Sequence, residues 1–559
     1  MRGSIATVRG RLTDNTLTNR RSHRERRRYP RRVRSASLAL TAWVVFAALP
    51  AMTQSRESMD VRILELDATV LDRAGKPVEG LTRDDFEVRT GKREVPITNF
   101  FAVRKGVVVS DEREPDATQS TTTAPIASET SIPTSLIIFI DDSHLSQRSH
   151  TRAMKALQRY VSANIGGTMT ATLVRYNREL DVRVRPTERA GPILRELDQI
   201  ARIPATDEIA RERRQLIRQI DEILMALKEN NGRTPEGETP ETLLVRIQNY
   251  AEHRVADVDH TLDALERAIE LASAFSGRKV LLYVSDGLPQ SPGLEVFEYF
   301  DSAMARFGAT IQGGPIRTAG GEAMRFDRSG AFRHLAQTAQ RANVAIFSFD
   351  AAGLRGEAGR GPESSSSLGT LSGVSMYANE RSGLQFVAEE TGGQYITNEN
   401  NIDTVLARMS EQFSSYYSIG IHPQRGAIRI MVRNHPELRV IAARRMPPRT
   451  REDKLEQDLR SRLYTRAADN PLDATLGIGR PVVTAGQCVV PVRLLVPQPR
   501  LPHDLTPQGV ELRMVMLNEA NDESGVQVAI VPFESARIHH LMRLRIRPEK
   551  LVLSIAVTN

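Results

Sequence analysis

The sequence predicts an α/β fold: a doubly wound, mostly parallel sheet flanked by small N-terminal and C-terminal β domains. Three stretches predict it. SLIIFIDDS at 135–143, VLLYVSDG at 280–287 and VAIFSFD at 344–350 are each an apolar run that meets an aspartate. A run of that kind reads as a strand buried on both faces, the usual state inside a parallel sheet. Helical patterns separate the runs, as in repeated βαβ units. The acidic and hydroxyl side chains sit at the C-terminal ends of these strands, the edge where open α/β sheets place their ligand sites.

Composition bounds the rest. At 559 residues the chain exceeds one core and suggests about three domains. A hydrophobic content of 40% and a charged content of 26% fit a soluble globular protein. The net charge of +8 is uneven: residues 1–55 hold twelve Arg against Asp14 and Glu25, or +10, which leaves −2 for the remainder. No nucleic-acid surface is expected on the rest of the chain. Cys488 is the only cysteine, so no intramolecular disulfide and no cysteine-based metal site is expected; within QCVVPV it reads as a buried strand residue.

In chain order, residues 1–51 read as a signal peptide or N-terminal anchor. An Arg-rich segment precedes an apolar stretch from Ala36 to Leu49, short for a full membrane span, with small Ala51 before a cut near Met52. Export follows, to the periplasm, cell envelope or exterior. Membrane contact is expected only through this segment, if it is kept. Residues 59–105 read as a small β-rich domain: VRILELDATVLD alternates as a half-buried strand does, and RAGKP and Thr90-Gly91 are turns. Residues 106–134, with TQSTTTAP inside, read as a linker.

The α/β domain spans 135–423. Met154, Leu157, Val161 and Ile165 repeat at helical spacing, while ATLVRY and DVRVRPT read as a hairpin joined at Asn177-Arg178. A helical insertion is expected at about 206–258, with Thr239-Pro240 starting its second helix. A separate helix carries Leu262, Leu265 and Ile269. GLRGEAGRGPESSSSLG at 353–369 reads as a Gly/Ser loop, LQFVAEETGG as a helix stopping on Gly392-Gly393, and SYYSIGI at 415–421 as the strand closing the sheet. Residues 424–450 form a β extension. Residues 469–559 read as a β-sandwich-like domain; KLVLSIAVTN reads as a strand, which leaves open that this domain is incomplete.

Taken together, ATVLDRAGKPVEGLTRDDFEV, FIDDSHLS, SGRKVLLYVSDG, AEETGGQYI and YYSIGIHP resemble, in order and spacing, the bacterial VWFA-related domain family. These are exported proteins built around a von Willebrand factor type A (VWA) domain, a Rossmann-like fold. The resemblance covers about 59–447. It implies a metal-ion-dependent adhesion site formed by Asp-x-Ser-x-Ser after the first strand, a Thr from a later loop and an Asp after the fourth strand. Asp141 and Ser143 match the first two positions and Asp286 the last. Thr261 is the counterpart of the Thr, and Leu145 stands where the second Ser belongs, with Ser146 one residue on. Hard oxygen ligands of this kind suit Mg²⁺, Ca²⁺ or Mn²⁺. The alternative is structural: Asp141 and Ser143 cap the next helix and Asp286-Gly287 makes a turn. His144 and His150 read as surface histidines, and Met169 as core.

The expected function is interaction with, or adhesion to, another protein, through that cation or through a metal-independent module of the cell envelope. An enzyme is not expected. Neither a dinucleotide or phosphate-binding glycine motif, nor a G-x-S-x-G elbow, nor H-E-x-x-H occurs. A hydrolase built on Asp141, Asp142 and Asp286 would lack a nucleophile or base beside them.

Overall fold

The computed structural model describes residues 4–10, 64–113 and 132–444, apart from 168, 206–207, 231–237, 274, 276, 308–318, 354–366, 397–401 and 423–425, and shorter stretches between 455 and 558. The first strand, β1 (Ser4–Gly10), falls in the stretch read as a leader and runs antiparallel to the last strand, Leu551–Thr558. Cleavage near Met52 would therefore uncover the edge of that last strand. The apolar stretch 36–49, the centre of the expected linker and most of the expected Gly/Ser loop lie outside the described residues. Among the described residues no helix is long and apolar enough to cross a membrane.

Strands β2 (Leu64–Leu71), β3 (Phe86–Thr90), β4 (Arg93–Val95), β5 (Ile97–Arg104) and β6 (Val107–Arg113) follow. The first half of β2 alternates, burying Leu64 and Leu66, whereas Ala68–Leu71 are buried on both faces. Gly91, at φ 62°, makes the turn from β3 to β4. β6 lies inside the expected linker, where it pairs with β5.

The α/β unit opens with β7 (Thr134–Asp141) and α1 (Gln147–Asn164). It continues through the hairpin β8 (Met169–Asn177) and β9 (Glu179–Thr187), then α2 (Ala190–Ala201), α3 (Glu208–Glu229) and α4 (Pro240–Ser273). β10 (Arg278–Ser285), α5 (Leu294–Phe307), α6 (Ala319–Ala323), α7 (Ser329–Ala342) and β11 (Val344–Asp350) come next. α8 (Ser367–Thr391), β12 (Tyr395–Ile396) and α9 (Ile402–Ser414) complete it. The sheet order is β12-β11-β10-β7-β8-β9, parallel except for the edge strand β9. α1, α2 and α9 pack on one face against Leu136, Ile138 and Ile140, and α4, α7 and α8 on the other against Ile137 and Phe139. The five residues Leu136–Ile140 are at most 1% exposed. At about 1.5–3 kcal/mol per buried side chain, this strand alone contributes on the order of 10 kcal/mol of apolar burial, as an upper bound.

The insertion differs from expectation in one respect. Its second helix and the helix carrying Leu262 are a single element, the 34-residue α4. The insertion has its own apolar core, in which Leu216, Ile220 and Leu224 of α3 meet Ile247 of α4 and Phe297 and Phe300 of α5. An amphipathic helix pair covering the domain accounts for that pattern.

A larger correction concerns SYYSIGI. β13 (Tyr416–Ile421) does not close the parallel sheet. It lies between β2 and β5, antiparallel to both. β14 (Ile428–Val432) pairs with β3, and β15 (Arg439–Ala442) pairs with β2. Residues before and after the α/β unit thus share one core, with Phe86, Phe100 and Tyr417 in mutual ring contact at 5.0–5.8 Å. The expected N-terminal β domain and the expected β extension are two parts of this β unit. This answers how so short an N-terminal stretch finds a core.

Farther on come β16 (Thr475–Ile478), β17 (Val482–Thr484), β18 (Gln487–Pro497), β19 (Val510–Leu517), β20 (Gln527–Val531), β21 (Arg537–Ile546) and β22 (Leu551–Thr558). One sheet runs β16-β18-β17 with β21 also on β18, and the other runs β1-β22-β19-β20. Cys488 lies in β18.

Phe139 is fully buried, with ring contacts to Tyr283 and Tyr176 at 5.6 and 6.2 Å. Phe139→Ala is expected to cost about 3–5 kcal/mol in urea unfolding, against less than ~0.5 kcal/mol for Lys92→Ala on the exposed β3–β4 turn.

Candidate functional site

β7 pairs with β8 on one side and β10 on the other, so the order in which strands join the sheet reverses between β7 and β10. Loops diverge at such a point and leave a crevice beyond the strand ends. Here the crevice is a cavity of about 430 Å³. Its floor is the 143–146 loop and the start of α1, with Asp286 and Gly287 after β10. α3 and α8 supply walls through Arg213, Tyr377 and Glu380, and α4 contributes Arg254.

Asp141, at the end of β7, is fully buried. Its Oδ2 accepts the Tyr283 hydroxyl at 2.6 Å and the Ser285 hydroxyl at 3.1 Å, both from the neighbouring β10. His144 Nδ1 lies 3.0 Å from Oδ2 and 3.1 Å from Oδ1. A tight turn, His144 N–H to Asp141 carbonyl at 3.2 Å, brings the ring back onto that carboxylate. Burial, and next the Asp141 carboxylate, hold the Tyr283 phenol far above its ordinary range, so it stays a proton donor. His144 is not a surface histidine. Its side chain is 5% exposed, its Nε2 has no hydrogen-bond partner, and its ring lines the cavity.

The other expected ligands turn to protein partners as well. Ser143 Oγ accepts the Arg178 N–H at 3.2 Å, at the β8–β9 turn. Asp286 Oδ2 accepts the Ser146 N–H at 3.0 Å, tying the loop after β10 to the loop after β7. Thr261 lies fully buried within α4 and donates its hydroxyl to the Asp257 carbonyl one turn back, at 2.9 Å. Leu145 is a core residue, 2% exposed. Ser146, not Asp141 or Ser143, caps α1, its hydroxyl accepting the Ser149 N–H at 3.4 Å. Of the four, Ser143 and Asp286 line the crevice, Asp141 is buried next to it against His144, and Thr261 turns back on its own helix.

A Mg²⁺, Ca²⁺ or Mn²⁺ site needs about six or more oxygens facing one point. With two hydroxyls and an imidazole on Asp141, and with the Ser143 and Thr261 hydroxyls engaged away from it, this donor set does not fit such an ion. Among the described residues, no three His, Cys, Asp or Glu side chains form a group that could hold a metal.

Asp142 points to the other side. It pairs with Arg175 Nε at 2.6 Å, and His150 Nε2 lies 3.4 Å away. Burial pushes the Asp142 carboxyl up against the pull of Arg175, and burial pulls the His150 imidazole down. His150, fully buried, is a second histidine that is not on the surface. In SDG the glycine serves close packing: a Cβ on Gly287 would come within 2.9 Å of Glu380 Cβ, and Leu288 N–H donates to the Glu380 carbonyl at 2.7 Å. Arg213 of α3 meets Glu380 of α8 at 2.8 Å across the cavity. Burial opposes charge on Arg213, and the carboxylates of Glu380 and Glu295 outweigh it. Behind them Glu295, 8% exposed, accepts the Tyr250 hydroxyl at 3.3 Å, and burial pushes its carboxyl up, against the pull of Arg213.

Tyr283 and Ser285 have no role in the sequence reading, and His144 is misplaced there on the surface. The spacing Asp-x-x-His and a tyrosine within an aliphatic strand were the available signals.

No protein-family model and no curated protein matches the chain. Among solved structures, it is similar to an aerotolerance-related membrane protein from Bacteroides fragilis at 9% identity, over 50% of this chain and 98% of that one, with a TM-score of 0.22. It is also similar to the von Willebrand factor domain of the type V pilus tip protein Mfa5 from Porphyromonas gingivalis. There the identity is 12%, over 50% and 94% of the two chains, with a TM-score of 0.24. For BatB of Bacteroides thetaiotaomicron the values are 10%, 50% and 97%, and 0.21.

Two outcomes follow from this geometry. Tyr283→Phe, which removes a donor to a buried carboxylate, is expected to lower stability by about 1–3 kcal/mol in denaturant melts. The raised Glu295 carboxyl gives the folded state a contribution present in acid and lost as pH rises through its folded value. Glu295→Gln, which keeps an acceptor for Tyr250, should therefore be more stable than wild type at neutral pH, with the gain shrinking as pH falls through the raised folded value and gone below the usual carboxylate range.

Proposed function

We propose that this chain is an exported interaction protein whose α/β domain, of the VWA type that its motifs resemble, docks a protein partner over the C-terminal edge of the sheet. The observation that carries the reading is the cavity at the β7–β10 switch point, walled by α3, α4 and α8. Pockets in open α/β sheets bind their ligands at this place. The lining suits a polar partner surface. Arg148 is exposed at the mouth beside the α1 N-terminus, and Arg254, Glu208 and Tyr377 border the same opening. The reading requires no chemistry at the site, and the Asp141 carboxylate is already committed to structure. Export rests on the leader-like segment; its removal would also free the β22 edge.

Photo-crosslinking in the native cell envelope tests this. A benzophenone side chain at position 148 is expected to trap a protein that excess purified chain displaces. The same probe at position 92, on the β3–β4 turn, is expected to trap none. Displaceable adducts from position 92 alone would instead support contacts made by the β domains.

A further inference from the structure

We infer that the Tyr283–Asp141–His144 network stands in for a divalent cation at this edge, so that the site keeps its shape and meets its partner without one. A carboxylate removed from water needs compensation, either by a bound cation or by protein donors. Asp141 is 0% exposed and has three protein groups on it: the Tyr283 hydroxyl at 2.6 Å, the Ser285 hydroxyl at 3.1 Å and the His144 ring at 3.0 Å. These also do the mechanical work of a shared ion, because they bind the end of β7 to β10 and fold the 141–144 turn onto them. Ser146 N–H on Asp286 Oδ2 makes the second link between the same two loops.

The same geometry says what a partner would touch. The His144 ring, fixed at Nδ1 by Asp141, lines the cavity with Nε2 unpartnered. Nε2 is itself buried, so a partner group entering the cavity meets the flank of the ring and not that nitrogen. Leu145 completes the arrangement, since its burial in the core places an apolar side chain where the resemblance implies an oxygen donor.

The part that concerns the partner rests on the interaction reading above; the part that concerns the ion does not. Thermal unfolding of the full chain in chelator and in millimolar Mg²⁺, Ca²⁺ or Mn²⁺ is expected to give one melting temperature throughout. His144→Ala and Tyr283→Phe are each expected to melt a few degrees lower, again with no response to the ions. A wild-type melting temperature raised by any of the three ions, or calorimetric uptake of Mn²⁺ that Asp141→Ala abolishes, would overturn the inference. If a variant fails to fold, the wild-type comparison alone decides. Crosslinking from position 148 separates the two readings. Adducts that persist in chelator support both, and adducts that form only with a divalent cation leave the interaction standing and sink this inference.

Discussion

The buried carboxylate of Asp141 is the constraint on which the edge of the α/β unit depends. A charge at the end of a fully buried strand has no water to satisfy it, and its cost would be several kcal/mol without partners. β10 supplies two hydroxyls, and the turn after β7 supplies an imidazole. Because those donors come from a neighbouring strand and a neighbouring loop, satisfying one charge fixes three pieces of chain relative to one another. The crevice at the switch point has its shape for that reason.

The same device recurs along the edge. Asp286, after β10, holds the loop that follows β7. Asp350, at the end of β11, accepts the Ala352 N–H at 3.0 Å and the Tyr395 hydroxyl at 3.3 Å, with Arg381 of α8 also 3.3 Å away. Each strand-end acid anchors a neighbouring segment. At the opposite end of the sheet a buried arginine joins the two kinds of domain. Arg278, at the start of β10, donates to Thr69 of β2 at 3.3 Å and lies 4.3 Å over the Tyr416 ring of β13. β10 thus meets the shared β unit at one end and the crevice at the other.

The alternating sheet and helices were legible in the sequence because burial on both faces leaves a continuous apolar run that local pattern records. Destination was not legible. SYYSIGI reads like any central strand, and all of β13 from Tyr416 to Ile421 is buried; which sheet buries it is decided by β2 and β5, more than 300 positions earlier. The join at α4 escaped notice because a helix that changes neighbours midway changes its apolar face without a break. At the site, pattern located Asp141 and Asp286 correctly at one edge. Residue type alone did not say that Thr261 turns back on its own helix, or that His144 folds onto Asp141. Those are rotamer and turn outcomes, set by local competition for hydrogen bonds.

The central claim is that protein groups, not a cation, complete the Asp141 carboxylate. A crystal structure of the full chain grown with Mn²⁺, read by anomalous scattering, tests it most directly. The account predicts no anomalous peak between Asp141 and Asp286, with the His144 ring on Asp141 and the Tyr283 hydroxyl in hydrogen-bond contact. A Mn²⁺ peak at that point, with His144 swung away and Ser143 turned toward it, would contradict the account.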